Sequence, residues 1–261
     1  MNIHAEETAA EPSVRYHLLD ELRGLDLISM ILYHGMWDIL FLFGVWFGQW
    51  WYLGWQGAVW QKSIALIFIG LSGFCAPMGH HMLRRGLVVF GGGALVSVVT
   101  LLFTPSAKVL FGVLTLLGSA MILTALLEPW LRRIPPVVGL AVSLLLFAFT
   151  YSVSTGWLGI GPWKLLLPEP LYANYLTAYL GFYPEGFYSS DYYPLLPWIF
   201  WFWAGYFLHF LVGRQRMEPL RRSICPPLGW LGRHSLLIYL LHQPVLYAVL
   251  YVVFLLPQMF G

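Results

Sequence analysis

The sequence predicts an all-α, polytopic membrane bundle of about seven transmembrane helices, with the N-terminus inside and the C-terminus outside. Three observations carry that prediction. Hydrophobic residues fill 59% of the 261 positions and charged residues only 10%, against about 25% charged in a soluble domain. The mean hydropathy is +0.71, more apolar surface than a water-soluble fold of this length has interior to hide. The basic residues also alternate in a regular way between the ends of successive apolar segments.

The apolar segments lie near residues 22–44, 60–82, 86–104, 109–128, 137–154, 194–213 and 234–256. Each approaches the roughly 20 residues that a spanning helix needs. The fourth and fifth are joined by EPWLRRIPP, read as a short Pro-rich turn. Residues 1–14 are polar and acidic and lack the pattern of a signal peptide. They are expected to form a disordered cytoplasmic tail ahead of a single transmembrane domain over 15–261. With the N-terminus inside, all the arginines fall on the inner side and only Lys62, Lys108 and Lys164 on the outer. That is the asymmetry of the positive-inside rule, and it sets the expected location: a multi-pass protein of the cell (inner) membrane with the lipid bilayer as its first partner.

The net charge of +2 and the lack of a large basic cluster exclude a nucleic-acid partner. Cys75 and Cys225 are far apart and show no ligand spacing, so neither a disulfide nor a metal site is expected. Two outer segments are aromatic. One is VWFGQWWYLGWQGAVW, residues 45–60. The other runs from about 155 to 193 and holds Trp157, Trp163, Glu169, Tyr183, Glu185, Tyr188 and Asp191. Aromatics with scattered acids suit carbohydrate stacking, and an interfacial aromatic belt accounts for the same residues.

The first segment raises the chemical question. It reads LDELRGLDLISMILYHGMWDILFLFG and carries Arg23, Asp26, His34 and Asp38 among leucines, isoleucines and methionines. At about 100° per residue, these four fit one arc of roughly 120°, a single polar stripe. His34 stands roughly 16 Å above Arg23, near mid-membrane. Ionisable groups at such depth are costly, and they line cavities or pathways and pair with one another. His34 and Asp38, spaced i and i+4, share a face. A carboxylate that orients an imidazole makes a general base. A buried pair that only joins helices would look the same in sequence.

Other polar groups recur in the spans. The second contains GLSGFCAPMGHHMLRR, with Ser72 at mid-span and Gly70 and Gly73 as close-packing positions. His80, His81, Arg84 and Arg85 follow at its inner end. Such a cluster suits a phosphate-bearing ligand and equally an ordinary positive-inside flank. In the last span Ser235, Tyr239 and His242 share a face, and Pro244 bends the helix just beyond.

LDELRGLDLISMILYH, GLSGF and GRHSLLIYLLHQP together resemble the bacterial branch of the heparan-α-glucosaminide N-acetyltransferase catalytic-domain family. The resemblance extends over nearly the whole chain after residue 14. The first of these motifs is also similar to that of the acyltransferase-3 family, whose first helix carries Arg, ten residues, then His, as Arg23 and His34 do here. The resemblance implies transfer of an acyl group, usually acetyl from acetyl-CoA, across the membrane to a sugar or glycan. It makes His34 the catalytic histidine, with Arg23 organising the donor site and Tyr239 and His242 in the closing motif. Longer members have ten or more spans, so a complete donor pocket in a seven-span chain implies a homo-oligomer.

The expectation is therefore a membrane O- or N-acetyltransferase. Its catalytic groups are His34 and Asp38. Its binding groups are Arg23, Asp26, Ser72, Arg84, Arg85, Tyr239 and His242. A small proton-coupled transporter is the competing class, because intramembrane His and Asp chains mark those as well; a non-catalytic membrane protein is the third.

Overall fold

The computed structural model describes residues 15–255. The expected tail over 1–14 lies outside the described residues. The architecture is all-α, with 75% of the chain helical. In chain order the helices are α1 (His17–Phe41), α2 (Gln49–Tyr52), α3 (Trp55–Cys75), α4 (Met82–Phe103), α5 (Val113–Leu131) and α6 (Pro136–Thr150). A small antiparallel hairpin follows, β1 (Trp157–Ile160) paired with β2 (Trp163–Leu166), and then α7 (Tyr175–Leu180). The chain closes with α8 (Leu195–Met217), α9 (Pro226–Arg233) and α10 (Ser235–Leu250). The end of the bundle holding the start of α1 is the inner end, and the opposite end is the outer.

Six of these helices are long and apolar enough to cross a membrane: α3, α4, α5, α6, α8 and α10. At about 1.5 Å per residue, the 25 residues of α1 also exceed a hydrocarbon core of about 30 Å. Its charges lower its hydropathy, but they face inward, where Glu21, Asp26 and Asp38 are buried. The apolar side chains on its other face are exposed, among them Leu22, Leu25 and Leu32.

Several boundaries differ from expectation. α1 begins five residues before 22 and α3 five before 60, because the outermost turns of a spanning helix lie at the interface and need no apolar residue. EPWLRRIPP is no simple turn. α5 continues through Pro129 to Leu131. The last apolar stretch is preceded by a separate amphipathic helix, α9, which breaks from α10 at His234.

The bundle is held by seams of small residues. A β-carbon on Gly24 would overlap the Leu228 carbonyl, and one on Gly232 the Asp20 carbonyl, so α1 and α9 touch backbone to backbone. Gly73 meets the Phe202 carbonyl and Gly205 the Gly70 carbonyl, locking α3 to α8. Gly93 and Gly118 do the same between α4 and α5. In a bilayer, where neighbouring lipid tails are as apolar as leucine, such close approach is what favours helix over lipid as neighbour. Glu21 adds a polar tie: its carboxylate accepts from the Ser223 hydroxyl and the Ile224 N–H, pinning the segment before α9 to α1.

Candidate active site

The seams set the polar stripe of α1 against α10. At mid-depth the rings of His34 and His242 meet edge to face, centroids 5.0 Å apart. His242 Nδ1 lies 2.6 Å from the Tyr239 carbonyl one turn earlier. A carbonyl only accepts, so that contact places a proton on Nδ1. Nε2 of a neutral His242 is then an acceptor, and it is buried without a hydrogen-bond partner among the described residues.

Behind His242 stands a carboxylate from a distant part of the chain. The Tyr239 hydroxyl donates to Asp191 Oδ2 at 2.9 Å, and the Val113 N–H donates to the same oxygen at 3.2 Å. Val113 opens α5, where the helix dipole favours an anion. Gly112 permits the approach, since a β-carbon there would stand 2.7 Å from Asp191 Oδ2. Withdrawal from water pushes the Asp191 carboxyl above its ordinary range, and its two donors pull it partly back.

These groups line a cavity of about 770 Å³. Asp26, His34, Asp38, Asp191, His242 and Gln243 form its polar side, and α3, α4 and α10 supply apolar walls. The hydrogen bond expected between Asp38 and His34 is not formed. Both Asp38 oxygens lack a hydrogen-bond partner among the described residues, as does Asp26 Oδ2. The i, i+4 spacing does put the two side chains on one face. His34, however, packs toward His242, while Asp38 lines the same cavity apart from it.

A second, smaller recess of about 140 Å³ opens below the first. Arg23, Ser72, Cys75, Arg85 and Ser235 contribute its polar lining. Arg23 makes a loose 3.7 Å contact with Asp20. Arg85 has no carboxylate within ion-pair distance among the described residues. Two guanidinium groups around one hollow leave a local surplus of positive charge, which suits a phosphate or pyrophosphate. Phe68 borders both recesses and stacks on Tyr239, centroids 6.3 Å apart. Phe68 is the side chain that the two hollows share.

The fold thus brings Arg23, Ser72 and Arg85 together at the inner recess and Asp26, His34, Asp38, Tyr239 and His242 at the outer cavity. Arg84 joins neither; it is exposed on α4. Asp26, expected among the substrate- and donor-binding residues, lines the histidine cavity. Sequence reasoning missed Asp191, which it had grouped with the loop acids, and also Phe68 and Gln243. Gln243 stood beside His242 as its one local signal.

The model of the catalytic region of heparan-alpha-glucosaminide N-acetyltransferase matches residues 15–244. The chain belongs to this family. The family is one of membrane acetyltransferases that use acetyl-CoA as donor, and membership implies transferase activity. No curated protein and no solved structure matches the chain.

Proposed function

We propose that this family member moves an acetyl group from CoA at the inner end of the bundle to a sugar or glycan hydroxyl or amine at the outer end. The inner end is then cytoplasmic and the membrane the bacterial inner membrane, crossed seven times with α1 as the first span. One observation carries the reading. A cationic recess and a histidine cavity lie on the same polar stripe of α1 and share Phe68 as a common lining residue.

The inner recess is far smaller than the 300–1,000 Å³ typical of ligand pockets. It suits the slender thioester arm, with the nucleotide phosphates held outside by Arg23 and Arg85. A second copy of the chain is the natural source of any further donor contacts. The acceptor lies in the outer cavity. His34 takes the proton as the acceptor oxygen or nitrogen attacks the thioester carbonyl. The carbon–sulfur bond breaks, and the CoA thiolate leaves toward the inner side and is protonated there. In an alternative order His34 attacks first and carries the acetyl group before passing it on. In both, His242 and Asp38 border the developing charges, and the Asp191–Tyr239 contact fixes the segment of α10 that holds His242.

The test uses purified protein in proteoliposomes with acetyl-labelled CoA and a panel of sugars. His34-dependent release of CoA, with label appearing on a sugar, is the expected result. Full activity in His34→Ala would overturn the assignment. Proton-coupled uptake indifferent to CoA would favour the transporter class.

A further inference from the structure

Several side chains that line the outer cavity on α4 and α10 are also exposed on the surface of the bundle. At the level of Gly92, α4 and α10 touch: a β-carbon there would meet Leu236 and Leu240 at 3.6 and 3.8 Å. Beyond that level the cavity walls on α4 are Leu95, Val99 and Phe103, which are 57%, 43% and 77% exposed. The facing walls on α10 include Leu241 and Tyr247, also about half exposed. Side chains that line the cavity and are this exposed stand at its rim, where a bilayer around the helices would reach them. The two helices therefore form the posts of a lateral portal.

The floor behind this apolar portal has the opposite character. Asp38, Asp26 and His242 are 1%, 4% and 8% exposed, and each presents an atom with no hydrogen-bond partner among the described residues. Buried polar atoms left unpaired are expensive. Several of them around one hollow mark the seat of a polar ligand. A soluble sugar would satisfy the floor and leave the walls against water or lipid. A ligand with a hydrocarbon tail and a hydroxyl- or amine-bearing head satisfies both.

We infer that the acceptor is an amphiphile, a sugar or amino alcohol carried on a hydrocarbon chain, which enters from the outer leaflet between α4 and α10. The tail stays against Leu95, Val99 and Leu241 while the head reaches His34. This names the acceptor class within the acetyltransferase reading and rests on it for the chemistry, though not for the binding.

Binding is tested apart from turnover. Full-length protein in proteoliposomes is irradiated with an alkyl glucosaminide bearing a photoreactive diazirine in its chain, and labelled peptides are mapped. Label should concentrate on the outer halves of α4 and α10. Excess dodecyl glucosaminide should compete it away and free glucosamine should not. It should persist in His34→Ala and fall at least roughly tenfold in the portal-filling variants Val99→Trp and Leu241→Trp, the loss expected when a few methylenes lose their contacts. Label spread evenly over the lipid-facing helices, or unmoved by the competitor, would overturn the inference. In the acetylation assay, transfer to the alkyl sugar with roughly tenfold or lower KM than to the free sugar is expected. Equal use of both would also overturn it and leave the transferase reading intact. Competed portal labelling with no acetyl transfer would leave the amphiphile site standing and sink the transferase reading.

Discussion

The two hollows on the α1 stripe differ in almost every respect. The inner one holds about 140 Å³ and is edged by two arginines. The outer holds about 770 Å³ and gathers three carboxyl groups and two histidines. One has surplus positive charge; the other has proton acceptors. They share Phe68 as a common wall. A single symmetric binding pocket would not be built this way. The contrast fits two different ligands, an anion below and a nucleophile above, which meet at one aromatic partition.

The sharpest way to break that contrast is to remove the proton acceptor. His34→Ala should lower acetyl transfer by roughly 10²-fold or more, the range for loss of a general base. The melting temperature should stay near that of the unaltered chain, since the ring is only partly buried. Retained activity would erase the distinction between the hollows.

Next come the arginines. Arg23→Ala and Arg85→Ala should each raise KM for acetyl-CoA by about 10- to 100-fold, because a hydrogen bond to a charged group contributes about 1.5–3 kcal/mol. The effect should shrink in high salt. Arg84→Ala is the control. Its side chain is exposed and lines neither hollow, so its KM should not move. Equal effects at Arg84 and Arg85 would mean that the whole inner surface, not the recess, attracts the donor.

A third comparison concerns the frame. In Gly73→Ala the new β-carbon would collide with the Phe202 carbonyl and force α3, which carries Phe68, away from α8. Overpacking of this kind costs about 1–3 kcal/mol and should lower the thermal midpoint. Gly91→Ala, with nothing within 4 Å of the new atom, should leave the midpoint unchanged or slightly raised. A harmless Gly73→Ala would mean that the seam does not hold the partition.

The smallest effect is expected at Asp191. Its carboxyl binds a proton more tightly in the folded chain than in the unfolded one, because burial outweighs its two donors. Its contribution to stability therefore grows as pH falls through the elevated folded value, and levels off below the ordinary carboxylate pKa. Asp191→Asn still accepts from Val113 and Tyr239 and should show a flatter pH dependence of melting. Parallel curves for the two proteins would remove Asp191 from the list of titrating groups. Tyr239→Phe, lacking the donor, should shift the wild-type curve further in the same direction.

Much of this arrangement was legible in the residues. Hydropathy is a local property, so all seven apolar segments reappear as helices, with ends that differ from expectation by up to seven residues. The helical period is equally local, which is why Arg23, Asp26, His34 and Asp38 could be placed on one stripe. Gly70 and Gly73 were readable as packing positions because a small residue in an apolar helix has few other uses. Adjacent residues were harder. Arg84 and Arg85 look alike in sequence, yet successive helical residues diverge by about 100°, and only the neighbouring helices decide which one meets the recess.

The sequence by itself determined the membrane class, the helices and the histidine stripe, because these depend on short-range composition and period. The tertiary structure alone decided which groups meet that stripe. It turned His34 toward His242 rather than Asp38, and it brought Asp191 from the outer loop behind Tyr239. It also set Leu95 and Val99 of α4 and Leu241 of α10 around the same cavity. Contacts of that kind join residues far apart in the chain, through glycine seams whose geometry no local pattern encodes.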